Sequence, residues 1–193
     1  MGKTFGINRY TTFSDEMGIR LSDTKIKKAW GEPSKKLKVE KPQEDIKLNC
    51  WGAISSRGAT SLHIFSSNLN GPLYEDILDE HIMEMEELCP EGFYFQQDRS
   101  SVHQYAEGWI EDHGLERLTY PTYSPDLSPI ENLWSTLKHN VKCDAPRNEA
   151  ALCRSLRENW EILTTREKLE PYFTTLHGRY QECLDKQGER LPY

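Results

Sequence analysis

The stretch Tyr120-Pro-Thr-Tyr-Ser-Pro-Asp-Leu-Ser-Pro-Ile-Glu-Asn-Leu-Trp134 decides how the rest of this chain is read. Pro121, Pro125 and Pro129 each fix φ and remove a backbone donor, so residues 121–128 read as an ordered, turn-rich loop. A helix starts at Pro129. Ser128 is a suitable N-cap, proline is favoured at the first helical position, and Glu131 stands three residues after the cap. Ile130, Leu133, Trp134, Leu137 and Val141 then share one face at a period of 3.6 residues, and that face presses on the core. Glu131 lies at the edge of the stripe and has two readings: closing the helix end as part of a capping box, or pointing across a sheet edge at a metal ion.

Working back from this helix, Tyr10 to Ser14 is β-prone and ends in Asp15-Glu16. Met17 to Leu21 is expected to return as the second strand of a hairpin, which puts Asp15 at a strand end. Trp30 to Pro42, with two prolines, a glycine and many lysines, reads as a loop. Lys47 to Ser55 and Thr60 to Ser66 read as a second hairpin. Leu73, Ile77, Leu78, Ile82, Met85 and Leu88 recur at helical spacing between Pro72 and Cys89, and Pro90 stops that helix. Phe93 to Gln97 is a short strand ending at Asp98, followed by a helical stretch to about His113 with Gly114 as its stop. Leu115 to Tyr120 is the next strand. Beyond the Glu131 helix, Arg147 to Leu163 is amphipathic, and Lys168 to Asp185 is expected to be a helix interrupted near Gly178. Hairpins first and strand-helix-strand units after predict an α/β fold, a mixed sheet covered by helices. All 193 residues fit one domain, with residues 1–9 as a remnant of an upstream linker and 144–193 as a C-terminal helical part.

Composition narrows the function. Cys50, Cys89, Cys143, Cys153 and Cys183 are odd in number and scattered, with no CxxC pair and no nearby paired histidines. This argues against a disulfide framework and a zinc site, and for a reducing compartment. No apolar run approaches a membrane span and the N-terminus lacks a signal-peptide core, so a soluble intracellular protein is expected. The net charge of −7 has the wrong sign for binding nucleic acid by bulk electrostatics. The charge is uneven: through Lys41 there are ten Lys/Arg against five Asp/Glu, about +5, leaving about −12 for the remainder. Lys25, Lys27, Lys28, Lys35, Lys36 and Lys38 therefore read either as a DNA contact or as an ordinary solvated surface.

Asp15, Asp98 and Glu131, brought to one sheet edge, form an oxygen-only donor set of the kind Mg²⁺ or Mn²⁺ prefers. Two such ions can activate a water or a 3′-hydroxyl on one side of a phosphodiester and stabilise the leaving oxygen on the other. Singly, Asp15 also reads as a turn residue and Asp98 as an N-cap. His103, five residues beyond Asp98, reads as a phosphate contact or proton carrier, or as a hydrogen-bonded structural histidine.

Phe13-Ser-Asp-Glu16, Trp51-Gly-Ala-Ile-Ser, Phe95-Gln-Gln-Asp98 with His103, and Tyr123-Ser-Pro-Asp-Leu-Ser-Pro-Ile-Glu-Asn-Leu-Trp134 resemble the catalytic domain of Tc/mariner transposases. The resemblance covers most of the chain and implies an RNase H-like fold with a mixed five-stranded sheet flanked by helices. It implies a DDE triad at Asp15, Asp98 and Glu131, Mg²⁺-dependent (or Mn²⁺-dependent) cleavage and joining of DNA at transposon ends with two ions, a nuclear location, and possible homodimers. Three departures accompany it. The helix-turn-helix region such transposases carry upstream is expected to be missing from this chain. Arg99-Ser-Ser follows the second aspartate where the family commonly has Asn-Ala-Pro. The gap between Asp98 and Glu131, 32 residues, is a little short. Arg99, His103 and Asn132 form a second tier of site residues. Two alternatives stand beside the transposase reading: an inactive relic serving as a binding module, and an RNase H-like nuclease that cuts without joining.

Overall fold

The computed structural model describes residues 11–24, 45–118 and 127–186. Outside them lie residues 1–9, expected as a linker remnant, residues 30–42 with the lysine cluster, expected as a loop, most of the proline-punctuated stretch and residues 187–193.

The strands are β1 (Thr11–Arg20), β2 (Lys47–Ser55), β3 (Gly58–Ala59), β4 (His63–Phe65), β5 (Tyr94–Gln96) and β6 (Glu116–Arg117). The helices are α1 (Gly71–Leu88), α2 (Ser101–Tyr105), α3 (Glu107–Asp112), α4 (Pro129–Asp144), α5 (Glu149–Leu163) and α6 (Arg166–Asp185). Across the sheet the order is β3-β2-β1-β5-β6, with β4 also paired to β2. Since β1 occupies one edge of β2 from Phe13 to Arg20, β3 and β4 lie end to end along the other, and six strands fill five lateral positions. The β1–β2 pair is antiparallel; β1–β5 and β5–β6 are parallel. The α/β class and the mixed sheet flanked by helices are as expected.

Three local expectations are corrected. No turn interrupts the first strand: β2 pairs with it residue by residue through Asp15 and Glu16, and successive side chains go to opposite faces. Asp15 therefore sits inside a strand and not at its end. The helical stretch after Asp98 breaks at Ala106 into two short helices. Gly178 does not interrupt α6, which runs through it for 20 residues; one helical glycine costs only about 1 kcal/mol.

Two cores follow from strand alternation. Phe13, Met17 and Ile19 of β1, with Leu48, Cys50 and Ile54 of β2, pack against α4, α5 and α6 on one face. Trp51, Ala53 and Phe95 pack against α1, α2 and α3 on the other. On the first face the indoles of Trp134 (α4) and Trp160 (α5) stack with centroids 4.9 Å apart, and Trp160 Nε1 donates to Thr60 O at 2.8 Å. The stack lies against Gly52, the residue opposite Asp15 in the ladder. A Cβ there would stand 2.8 Å from two carbons of the Trp160 ring and 3.3 Å from Trp134. Gly52→Ala is expected to destabilise the fold by about 1–3 kcal/mol through overpacking, read as a lower urea midpoint with an unchanged slope.

Candidate active site

The register of the parallel pair sets the site. Phe13 is level with Gln96, the last registered pair, and Asp15 and Asp98 each follow two residues later, Asp98 beyond the end of β5. Pairing with β5 ends at Gln96 while β1 continues against β2, so the aspartates stand where the sheet opens on one side only. The third carboxylate comes from α4. Trp134 donates its indole N–H to Asp15 Oδ2 at 3.1 Å, and Glu131, one turn earlier at i−3, shares that helix side. The capping reading of Glu131 fails at its partner: Ser128 is the N-cap residue, but its side chain makes no cap hydrogen bond. Glu131 is left at the mouth of the site.

Electrostatics tie the three together. Burial, followed by repulsion from Glu131, Glu16 and Asp98, pushes the Asp15 carboxyl up to about 8. Burial and the Asp98 charge also raise Glu131, against Lys138. Asp98 goes the other way, down to about 2, mainly through its hydrogen bond with His103 and with help from the Ser100 N–H at 2.8 Å. His103 is 2 % exposed and clasped on both ring nitrogens: Nδ1 meets Asp98 Oδ1, and Nε2 meets Glu16 Oε1 at 3.1 Å. Burial lowers its basicity, but the bonds to Asp98 and Glu16 outweigh that and carry it up to about 10. The Tyr74 ring lies 4.5 Å from it, and Gln97 links Tyr74 Oη (2.7 Å) to His103 O (3.3 Å). His103 is thus a hydrogen-bonded residue that orients Asp98.

Asp98 is not an N-cap; Ser100 takes that position on α2. Arg99 is exposed beside the site, its carbonyl accepting from Gln104 Nε2 at 3.3 Å. Asn132 Oδ1 accepts from Arg179 Nη1 of α6 at 2.8 Å. Sequence reasoning missed Trp134, Glu16 and Arg179 as site residues. Strand alternation next to Asp15 was a usable signal for Glu16, and the i+3 spacing from Glu131 was one for Trp134; nothing local pointed to Arg179, 47 residues from its partner.

The donor set is all oxygen, and burial together with the neighbouring carboxylates opposes ionisation of Asp15, so the residues fit a hard divalent cation, which would relieve that cost. The triad is wider than single-ion spacing in this conformation. Among the described residues only His63, Glu80 and His81 bring three ligand atoms within 4.8 Å of one another.

The structure is thus a mixed sheet with helices on both faces and acidic residues grouped beside its central strand. The sequence matches the DDE superfamily endonuclease family over residues 11–153, and the chain belongs to that family. It is 26 % identical over 146 residues to the Tcb2 transposase of Caenorhabditis briggsae, covering 74 % of this chain and 53 % of the relative. It is 25 % identical over 148 residues to the Tc3 transposase of Caenorhabditis elegans, covering 74 % and 45 %. The chain thus spans about half the length of the curated relatives it matches. Among solved structures, the Mos1 transposase paired-end complex with left transposon end superposes with a TM-score of 0.77 at 17 % identity, covering 96 % of this chain and 57 % of that one. The catalytic domain of Mos1 mariner transposase superposes with a TM-score of 0.73 at 16 % identity, covering 95 % and 84 %. The fold is RNase H-like.

An acid raised from 3.8 to about 8 on folding favours the fold below pH 4, and that contribution is lost as pH rises to 8. Asp15→Asn is therefore expected to be more stable than the parent in metal-free buffer at pH 8, by on the order of 1 kcal/mol, with the gap closing toward pH 4; thermal melts across that range check it.

Proposed function

We propose that this chain is the catalytic domain of a Tc/mariner-type transposase that cleaves DNA phosphodiesters and transfers strands. The observation that carries this reading is the grouping of Asp15, Asp98 and Glu131: Asp98 follows the end of β5, the parallel partner of β1, Glu131 stands one helical turn from the indole bonded to Asp15, and the charges of Glu131 and Asp98 raise Asp15. Membership of the DDE endonuclease family supports it.

Asp15, Asp98 and Glu131 would hold Mg²⁺ or Mn²⁺, with two ions as the expected number. The structurally similar Mos1 paired-end complexes with Mg and with Mn support that choice. The bound cations supply Lewis-acid activation of a water or 3′-hydroxyl and offset charge on the phosphodiester. The protein's own part is geometric. Trp134 fixes the orientation of Asp15, and His103, braced by Glu16, fixes that of Asp98. Arg179 holds Asn132 beside Glu131, and Arg99 offers a cation to an incoming phosphate at the rim.

The partners in this reading are transposon-end and target DNA, a helix-turn-helix region outside these residues, and a second copy of the protein; the place of action is the nucleus. No helix among the described residues is long and apolar enough to cross a membrane.

Cleavage of a labelled duplex in Mg²⁺ or Mn²⁺ tests the proposal. Alanine at Asp15, Asp98 or Glu131 is expected to lower nicking on the order of a hundredfold or more, as loss of several kcal/mol of charge stabilisation requires. Joining of a supplied 3′-hydroxyl end to a target plasmid separates strand transfer from simple hydrolysis. Metal-independent cleavage, or no cleavage together with no calorimetric metal binding, would leave the binding-module reading in its place.

A further inference from the structure

On the α1 face of the sheet, at its β4 edge, a second group of ligating atoms converges. We propose that His63, Glu80 and His81 form a zinc site, separate from the carboxylate triad and independent of the transposase reading.

Two of the three ligand-atom pairs stand at coordination spacing. His81 Nε2 lies 3.3 Å from His63 Nδ1, and His63 Nδ1 lies 3.2 Å from Glu80 Oε2. All three atoms fall within 4.8 Å of one another. Zinc–nitrogen bonds of about 2.05 Å at the tetrahedral angle put neighbouring ligand atoms about 3.3 Å apart.

Proton inventory points the same way. His81 Nδ1 faces the Glu84 carboxylate at 3.1 Å, which assigns its proton to Nδ1 and leaves a lone pair on Nε2 aimed at His63. Glu80 also presents only lone pairs. Two acceptors, His81 Nε2 and Glu80 Oε2, thus share at most the single proton of His63 Nδ1, whereas with that nitrogen deprotonated one divalent cation would be ligated by all three.

The outer shell is built as well. Glu84, which orients His81, accepts from both the backbone N–H and the hydroxyl of Ser61, the latter at 2.8 Å. The His81 side chain is 3 % exposed and packs against Trp51 at 5.2 Å. A carboxylate fixing the far nitrogen of a ligand histidine is the usual support of a metal centre. Two imidazoles and one carboxylate select zinc over magnesium or calcium, and leave the fourth position to water. The metal would pin β4, a strand of three residues, onto α1.

The test uses the full chain, stripped with chelator and titrated with Zn²⁺ against a chromophoric competitor, with Co²⁺ substitution as a spectroscopic report. One tightly bound Zn²⁺ per chain, a raised melting temperature and a tetrahedral Co²⁺ spectrum are expected. His63→Ala and Glu80→Gln, both at partly exposed positions that circular dichroism can confirm as folded, should weaken binding by at least about 100-fold, and Glu84→Gln by about 10- to 100-fold. Asp98→Asn should retain the bound zinc. Absence of saturable Zn²⁺ binding, or binding that survives His63→Ala and disappears in Asp98→Asn, overturns the inference.

Discussion

The arrangement of this domain turns on one indole hydrogen bond. Asp15 lies inside the central strand, where burial and then three other carboxylates raise its cost of ionisation, and Trp134 Nε1 reaches it from the helix that carries Glu131. That bond couples sheet to helix: whatever fixes the Trp134 ring also fixes the relative positions of the first and third acidic groups. The ring is fixed by stacking on Trp160, and the stack is possible because residue 52 has no Cβ. A glycine in β2 thus sets the geometry of a carboxylate in β1.

The second aspartate is held by a different device. Its place comes from backbone register, and its direction from His103, a buried imidazole gripped by Asp98 on one side and Glu16 on the other. Asp15 and Glu16 point to opposite faces of β1, so adjacent residues do different work: one faces α4 in the site, the other braces the histidine beneath Asp98. The contrast in acidity follows. The hydrogen bond with His103 lowers Asp98, while burial and the neighbouring carboxylates raise Asp15.

The sequence by itself determined the helix starting at Pro129 and its buried stripe, the α/β class, and the candidates Asp15, Asp98 and Glu131, because proline geometry, hydrophobic period and a distinctive motif are local properties. It misled where local signals compete with pairing. Asp15-Glu16 carries turn chemistry, yet eight consecutive ladder partners from β2 keep the strand straight through it. Ser128 and Glu131 spell a capping box that the folded chain leaves unmade.

Only the tertiary structure decided which side chains meet across long separations. Asp15 finds Trp134 across 119 positions, and His63 meets His81 across 18, although no histidine pair was visible in the spacing. Arg179 reaches Asn132 across 47. The physical reason is common to all three: a side chain's environment is set by strand register and helix docking, which are fixed by burying two apolar faces at once, and that burial depends on the whole chain while the motifs depend on a few residues.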